Sequence, residues 1–125
     1  MPVSCSERVN MSSEPRTPVL IRVRPDEVDP YRIAHHSRYA VWAEEALLRW
    51  MEETGETVPY RVTDFQCKYI SSALLDEEVA VMLRRKSEKD SVREFTFSMR
   101  KTKGQLLLCT GALTVQLERE CPPPQ

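Results

Sequence analysis

Several features that would mark a function outright are missing from this sequence of 125 residues. Acidic and basic side chains nearly cancel, leaving a formal net charge of -1, so the broad basic footprint of a nucleic-acid-binding protein is absent. No apolar run approaches the roughly 20 residues needed to span a bilayer. The N-terminal stretch lacks the apolar segment of a secretory signal, and Glu7 and Glu14 speak against an acid-poor transit peptide. Cysteine is confined to Cys5, Cys67, Cys109 and Cys121, with no C-x-x-C pair and no metal-ligand spacing. That usage predicts reduced thiols in a cytoplasmic protein. There is no G-x-S-x-G elbow to carry a serine nucleophile, no repeat and no low-complexity core. The length allows one domain with a single core.

The folded unit is expected over residues 18–120. Residues 1–17 are polar and rich in serine and proline, and read as a mobile tail. Cys121 to Gln125 contains three prolines, which cannot donate to a sheet ladder. Val19 to Val23 is short and β-branched, a first strand. From Tyr39 to Met51, the residues Tyr39, Trp42, Ala43, Ala46, Leu47 and Trp50 repeat at helical spacing. Ser37 is placed to cap this helix, and Gly55 to end it in a left-handed conformation. Ala40, Val41, Leu48 and Met51 add a second apolar side that calls for cover, and a second subunit is the simplest supplier. Strands follow over Tyr60 to Ile70, Glu78 to Lys86, Val92 to Arg100 and Gln105 to Leu117, with a tight turn at Lys103-Gly104. A strand, one long helix and a run of strands predict an α+β fold with the helix packed on a five-stranded antiparallel sheet.

The connection between the first strand and the helix concentrates reactive groups. Asp26, Glu27, Asp29, His35 and His36 fall in one loop with Pro30, and loops held by rigid elements are where chemistry tends to sit. From these residues alone, Asp29-Pro30 reads first as a simple turn, since both residue types favour turns. Two adjacent histidines and one aspartate do not supply the convergent ligands zinc requires, so no metal site is expected.

In that order of elements, Glu27-Val28-Asp29, Ile33-Ala34, His35-His36 and Tyr39 resemble the signature of the hotdog-fold thioesterases, most nearly the 4-hydroxybenzoyl-CoA thioesterase-like branch. Asp64 to Tyr69 and the stretch Leu75-Asp76-Glu77-Glu78-Val79 resemble that family's second strand and following turn. The resemblance implies a hotdog fold and hydrolysis of an acyl-CoA or acyl-carrier-protein thioester without cofactor. It implies a homodimer or homotetramer with sites between subunits. It makes Asp29 the nucleophile or general base, and it places the backbone amide of His36 at the helix start as an oxyanion donor. The His36 side chain would orient the thioester or assist proton transfer, while His35 is structural or solvent-facing. Arg32 stands where the family usually has glycine, a residue suited to an unusual backbone angle.

Tyr39, Arg32 and Trp42 are the expected substrate-binding residues near the loop, with Trp42 and Trp50 core residues first. Arg84-Arg85-Lys86 and Arg100-Lys101-Lys103 are expected to meet across a hairpin. There they either hold the phosphates of coenzyme A or an acidic carrier protein, or are ordinary charged strand ends. Cys67 and Cys109 fall in apolar strands and are expected to be inert. Glu44 and Glu45, on the helix where another hotdog branch keeps its acid, read as a solvated face. A non-catalytic acyl-thioester binding module, which the departure at Arg32 favours, and a hotdog hydratase or dehydratase are the alternatives.

Overall fold

The computed structural model of the chain describes residues 18–56 and 58–118; the tails expected at residues 1–17 and 121–125 lie outside them. Five strands, β1 (Val19–Arg22), β2 (Tyr60–Tyr69), β3 (Glu78–Lys89), β4 (Val92–Lys101) and β5 (Leu107–Leu117), form one sheet in the order β1-β3-β4-β5-β2. Every neighbouring pair is antiparallel. The one α-helix among the described residues, α1 (His36–Thr54), covers one face, which is the hotdog architecture.

The alternating strands explain the layering. Val79, Val81 and Leu83 of β3 and Phe95, Phe97 and Met99 of β4 are buried on one face, because successive side chains of a strand point to opposite sides. Against them α1 lays Trp42, Ala43, Ala46, Leu47, Trp50 and Met51, all buried. Trp50 meets Phe95 edge to face with ring centroids 5.4 Å apart. In a folded protein most helical stability comes from packing of the apolar face, and this stripe supplies it.

The ends of α1 differ in how closely they follow expectation. Gly55 adopts the left-handed conformation (φ 85°) and its amide closes on the last helical carbonyls, as expected. At the start, the helix begins at His36, earlier than its apolar period implies, and Ser37 lies inside the first turn. The cap position belongs to His35, which makes no side-chain capping bond. Backbone bonds do the work instead: the His35 amide donates to the Glu27 carbonyl at 3.0 Å and the Arg38 amide to the His35 carbonyl at 3.0 Å. Pro25–Glu27, expected to be irregular, forms a 3-10 turn, for which the fixed φ of proline is suited.

The second apolar side of the helix is smaller than the sequence implies. Met51 belongs to the core, whereas Val41 and Leu48 are 41% and 46% exposed. Beyond the helix C-terminus, Glu56 pairs at 2.7 Å with Arg93 of β4, whose side chain is fully buried, and Glu88 of β3 stands 3.4 Å from the same guanidinium. Burial pushes the Glu88 carboxyl above its ordinary value, a shift that Arg93 and Arg85 partly oppose. No helix among the described residues is long and apolar enough to cross a membrane.

Gly111 sits at a crowded point of the sheet. A Cβ there would collide with the Gln66 carbonyl and the Phe97 ring, which itself stacks on Phe65. Gly111→Ala is expected to destabilise the fold by about 1–3 kcal/mol, as overpacking of a filled core does. The measurement is the shift of the urea midpoint at unchanged slope.

Candidate active site

The loop after the 3-10 turn is a small hairpin whose geometry follows from its residues. Val28 and Ala34 are bridged as antiparallel partners. The Arg32 amide donates to the Asp29 carbonyl at 2.8 Å and the Asp29 amide to the Ile33 carbonyl at 3.0 Å. Arg32 is left-handed, with φ 66°. A tight turn closed by one left-handed residue is a standard three-residue hairpin loop, with Asp and Pro in favoured turn positions. This is why glycine suits position 32. Arginine takes the same conformation there, and the hairpin closes around it.

The turn also aims Asp29. Its Oδ1 accepts the amides of Tyr31 at 2.9 Å and Ile33 at 3.1 Å. Oδ2 accepts no hydrogen bond from the described residues. The carboxylate is half-buried and fixed through one oxygen, leaving the other to a substrate or water. The far arm of the hairpin is fastened to the segment before β3. The Ala34 amide donates to the Ala73 carbonyl at 2.9 Å and the Leu75 amide to the Arg32 carbonyl at 3.0 Å.

The near arm is held by Glu27, which has only 3% of its surface exposed. Its Oε1 accepts the Arg24 amide at 2.9 Å. Its Oε2 accepts the Trp42 indole N–H at 3.0 Å and the Arg38 guanidinium at 3.0 and 3.1 Å. Burial pushes the Glu27 carboxyl up, but the Arg24 amide, the indole and the Arg38 guanidinium outweigh it and hold it below its ordinary value. Sequence reading gave Glu27 no role beyond its place in the motif. The available signal was Arg38, a cation in the first turn of a helix, where the dipole disfavours positive charge unless an acid neutralises it.

At the helix start, the amides of His36 and Ser37 are first-turn donors, which an α-helix leaves without partners four residues back. The exposed His36 ring stacks on Tyr69 at the end of β2, with centroids 3.9 Å apart, and the Tyr69 hydroxyl donates to the His36 carbonyl at 3.3 Å. Tyr69 was read only as a strand marker. Tyr39 is buried beneath this pair, and its hydroxyl accepts the Ala73 amide at 3.0 Å. Burial pushes the Tyr39 phenol up, so it is neutral at physiological pH. Trp42 is likewise buried, with its ring edge to face against Tyr39 at 5.0 Å. Asp29, Arg32, His36, Tyr39 and Trp42 thus share one neighbourhood.

The remaining residues do not join them. Lys101 pairs with Val79 and Arg100 with Ala80, whereas Arg84 pairs with Thr96 and Arg85 with Phe95. Antiparallel pairing therefore separates the two basic clusters by four ladder positions, about 13 Å, and the expected meeting across the hairpin does not occur. Arg84 is exposed, and Arg85 is mostly buried and bonded to Glu88 at 3.2 Å. Glu44 and Glu45 are exposed on α1, and His35 is exposed beside the loop. Burial raises the Cys67 thiol and, more strongly, the Cys109 thiol, so neither is a thiolate nucleophile. Among the described residues no group of three His, Cys, Asp or Glu side chains converges on a metal position.

The sequence profile of the thioesterase superfamily matches residues 31–107, a span that begins just after Asp29. Solved structures with the same architecture include a probable thioesterase from Bartonella henselae, 16% identical with a TM-score of 0.74 over 87% of this chain and 100% of that one. A hypothetical protein from Thermus thermophilus is 25% identical with a TM-score of 0.74, over 88% of this chain and 92% of that one. A 1,4-dihydroxy-2-naphthoyl-CoA thioesterase from Synechocystis is 10% identical, with a TM-score of 0.73 over 87% and 90% of the two chains. No curated protein matches the sequence.

Two outcomes follow for the loop. Arg32→Gly is expected to be tolerated, whereas Arg32→Val should be about 1–2 kcal/mol less stable than the glycine variant, because a β-branched residue resists the left-handed region. Paired urea titrations check this. Glu27→Gln should cost about 1–3 kcal/mol at neutral pH by disordering a buried hydrogen-bond set. Because the folded-state pKa of Glu27 is depressed, its ionic contribution is complete above the ordinary glutamate range and disappears as pH falls through the depressed value. The stability gap between wild type and Glu27→Gln should therefore narrow on acidification below about pH 4.3, as measured by denaturation across pH.

Proposed function

Because the chain belongs to the thioesterase superfamily, we propose that it hydrolyses an acyl thioester of coenzyme A or of acyl carrier protein to a free acid and a thiol. The observation that carries this reading is the Asp29 carboxylate, tethered through Oδ1 and open at Oδ2, in the hairpin that leads into a helix N-terminus. In one route Oδ2 attacks the thioester carbonyl and the thiolate leaves and takes a proton. Water then hydrolyses the resulting mixed anhydride. In the other, Asp29 takes a proton from the water that attacks the carbonyl, and passes it to the departing sulfur. Both routes place negative charge on the carbonyl oxygen, and the unpartnered His36 amide at the positive end of α1 is the donor assigned to it.

The His36 ring, held flat against Tyr69, orients the thioester, whereas Tyr39 and Trp42, expected to bind substrate, are fully buried and support that ring pair from beneath. Arg32, exposed in the same hairpin as Asp29, is the cation offered to the substrate there. Arg84 and Arg85, six and seven residues along β3 from Glu78 or about 20 Å, take part only if a second subunit brings them to the loop. Exposed apolar groups support a homodimer or homotetramer: Val41 and Leu48 on α1, and Tyr69, Ile70, Leu74 and Leu106 around the loop. The reaction requires neither metal nor cofactor, and the free thiols of Cys67 and Cys109 fit a cytoplasmic setting.

Thiol release from a panel of acyl-CoAs tests the reading. Asp29→Asn is expected to lower kcat/KM at least about a hundredfold, or roughly 2.7 kcal/mol of transition-state stabilisation. Equal hydrolysis by both proteins would move the chemistry away from Asp29.

A further inference from the structure

We propose that Glu27 is a positioning residue, whose buried carboxylate sets where the Asp29 hairpin stands relative to the first turn of α1. Glu27 binds the chain on both sides of the site at once. Its side chain takes donors from Arg24 before the loop and from Arg38 and Trp42 on the helix, while its own carbonyl accepts the amide of His35, the residue that caps the helix. Only Val28 separates Glu27 from Asp29, and Val28 is itself bridged to Ala34. A displacement of Glu27 therefore passes to Asp29 through one constrained residue.

Stability alone does not account for this arrangement. A buried charge network is often no more stable than a well-packed apolar replacement, whereas charge-assisted bonds fix direction and distance. Here the fixed quantity is the spacing between the Asp29 carboxylate and the His36 and Ser37 amides. The consequence for turnover rests on the thioesterase reading. The consequence for the loop does not.

The test combines amide hydrogen exchange by NMR with turnover of benzoyl-CoA and octanoyl-CoA, on the full chain. In Glu27→Gln the amides of Tyr31, Ile33 and His35 are expected to exchange at least about tenfold faster beyond the rise that the loss of global stability imposes on Val81 and Phe95 in the sheet, and kcat should fall at least about tenfold with KM held within about threefold, since a misplacement near 1 Å is enough for such losses. Arg38→Met, which leaves Glu27 bonded to the Arg24 amide and the Trp42 indole, should show the same pattern at smaller size. It decides the matter if Glu27→Gln does not fold. Exchange that rises uniformly, or loop amides that stay as protected as in wild type, would overturn the proposal. So would a loosened loop with kcat unchanged. If wild type turns over neither substrate while the exchange pattern is the local one, the thioesterase reading suffers and the positioning of the loop by Glu27 stands.

Discussion

A single buried carboxylate joins the parts of this protein that have to be held in register. Glu27 takes the end of β1 through the Arg24 amide, the start of α1 through Arg38 and Trp42, and the helix cap through its own carbonyl. Leaving such a group buried costs several kcal/mol unless its lone pairs are met, and here both oxygens are bonded. The depressed pKa of Glu27 records that the bonds win over desolvation. The opposite arm of the Asp29 hairpin is stitched to Ala73 and Leu75. The loop is thereby clamped between the helix and the segment entering β3, although it has no extensive strand pairing of its own.

The same economy governs the helix. Its middle is held by packing of Trp42, Leu47 and Trp50 on the sheet, and its two ends by ion pairs, the partly exposed Glu27–Arg38 at the start and the buried Glu56–Arg93 beyond the finish. A lone helix on a five-stranded sheet cannot bury all of its own apolar surface. Val41 and Leu48 remain in view on its outer side, and a further apolar group surrounds the hairpin. Part of that surplus, Tyr31 and Leu74, lies in or against the Asp29 hairpin, while Val41 and Leu48 lie along the helix away from it.

What was legible in the sequence was whatever local periodicity records. The alternation of Phe95, Phe97 and Met99 and the helical spacing from Tyr39 to Trp50 gave the layers, and Gly55 gave the helix end. Long-range pairing leaves no such mark. Arg84 and Arg100 were expected to meet because both close a strand, but the ladder register places them apart. Ser37 had the right chemistry for a cap, yet the backbone bond from His35 to Glu27 starts the helix before it. The Asp29 motif was visible through its family resemblance, and the structure adds the reason for its spacing: a turn that needs Asp first, Pro second and a left-handed residue at Arg32. Arg38 and Trp42 lie one helical turn apart, and Arg38 in the first turn called for an acid, but that Glu27 is the acid that meets both became visible only once the chain was folded.

Mass analysis of the products formed from an acyl-CoA in ¹⁸O-labelled water tests hydrolysis most directly. The account predicts free coenzyme A and free acid in equal amounts, with one labelled oxygen in the acid. Acyl-CoA and acyl-carrier-protein thioesters both recovered intact across a panel of acyl groups, or a thioester carrying added water with its C–S bond unbroken, would contradict it.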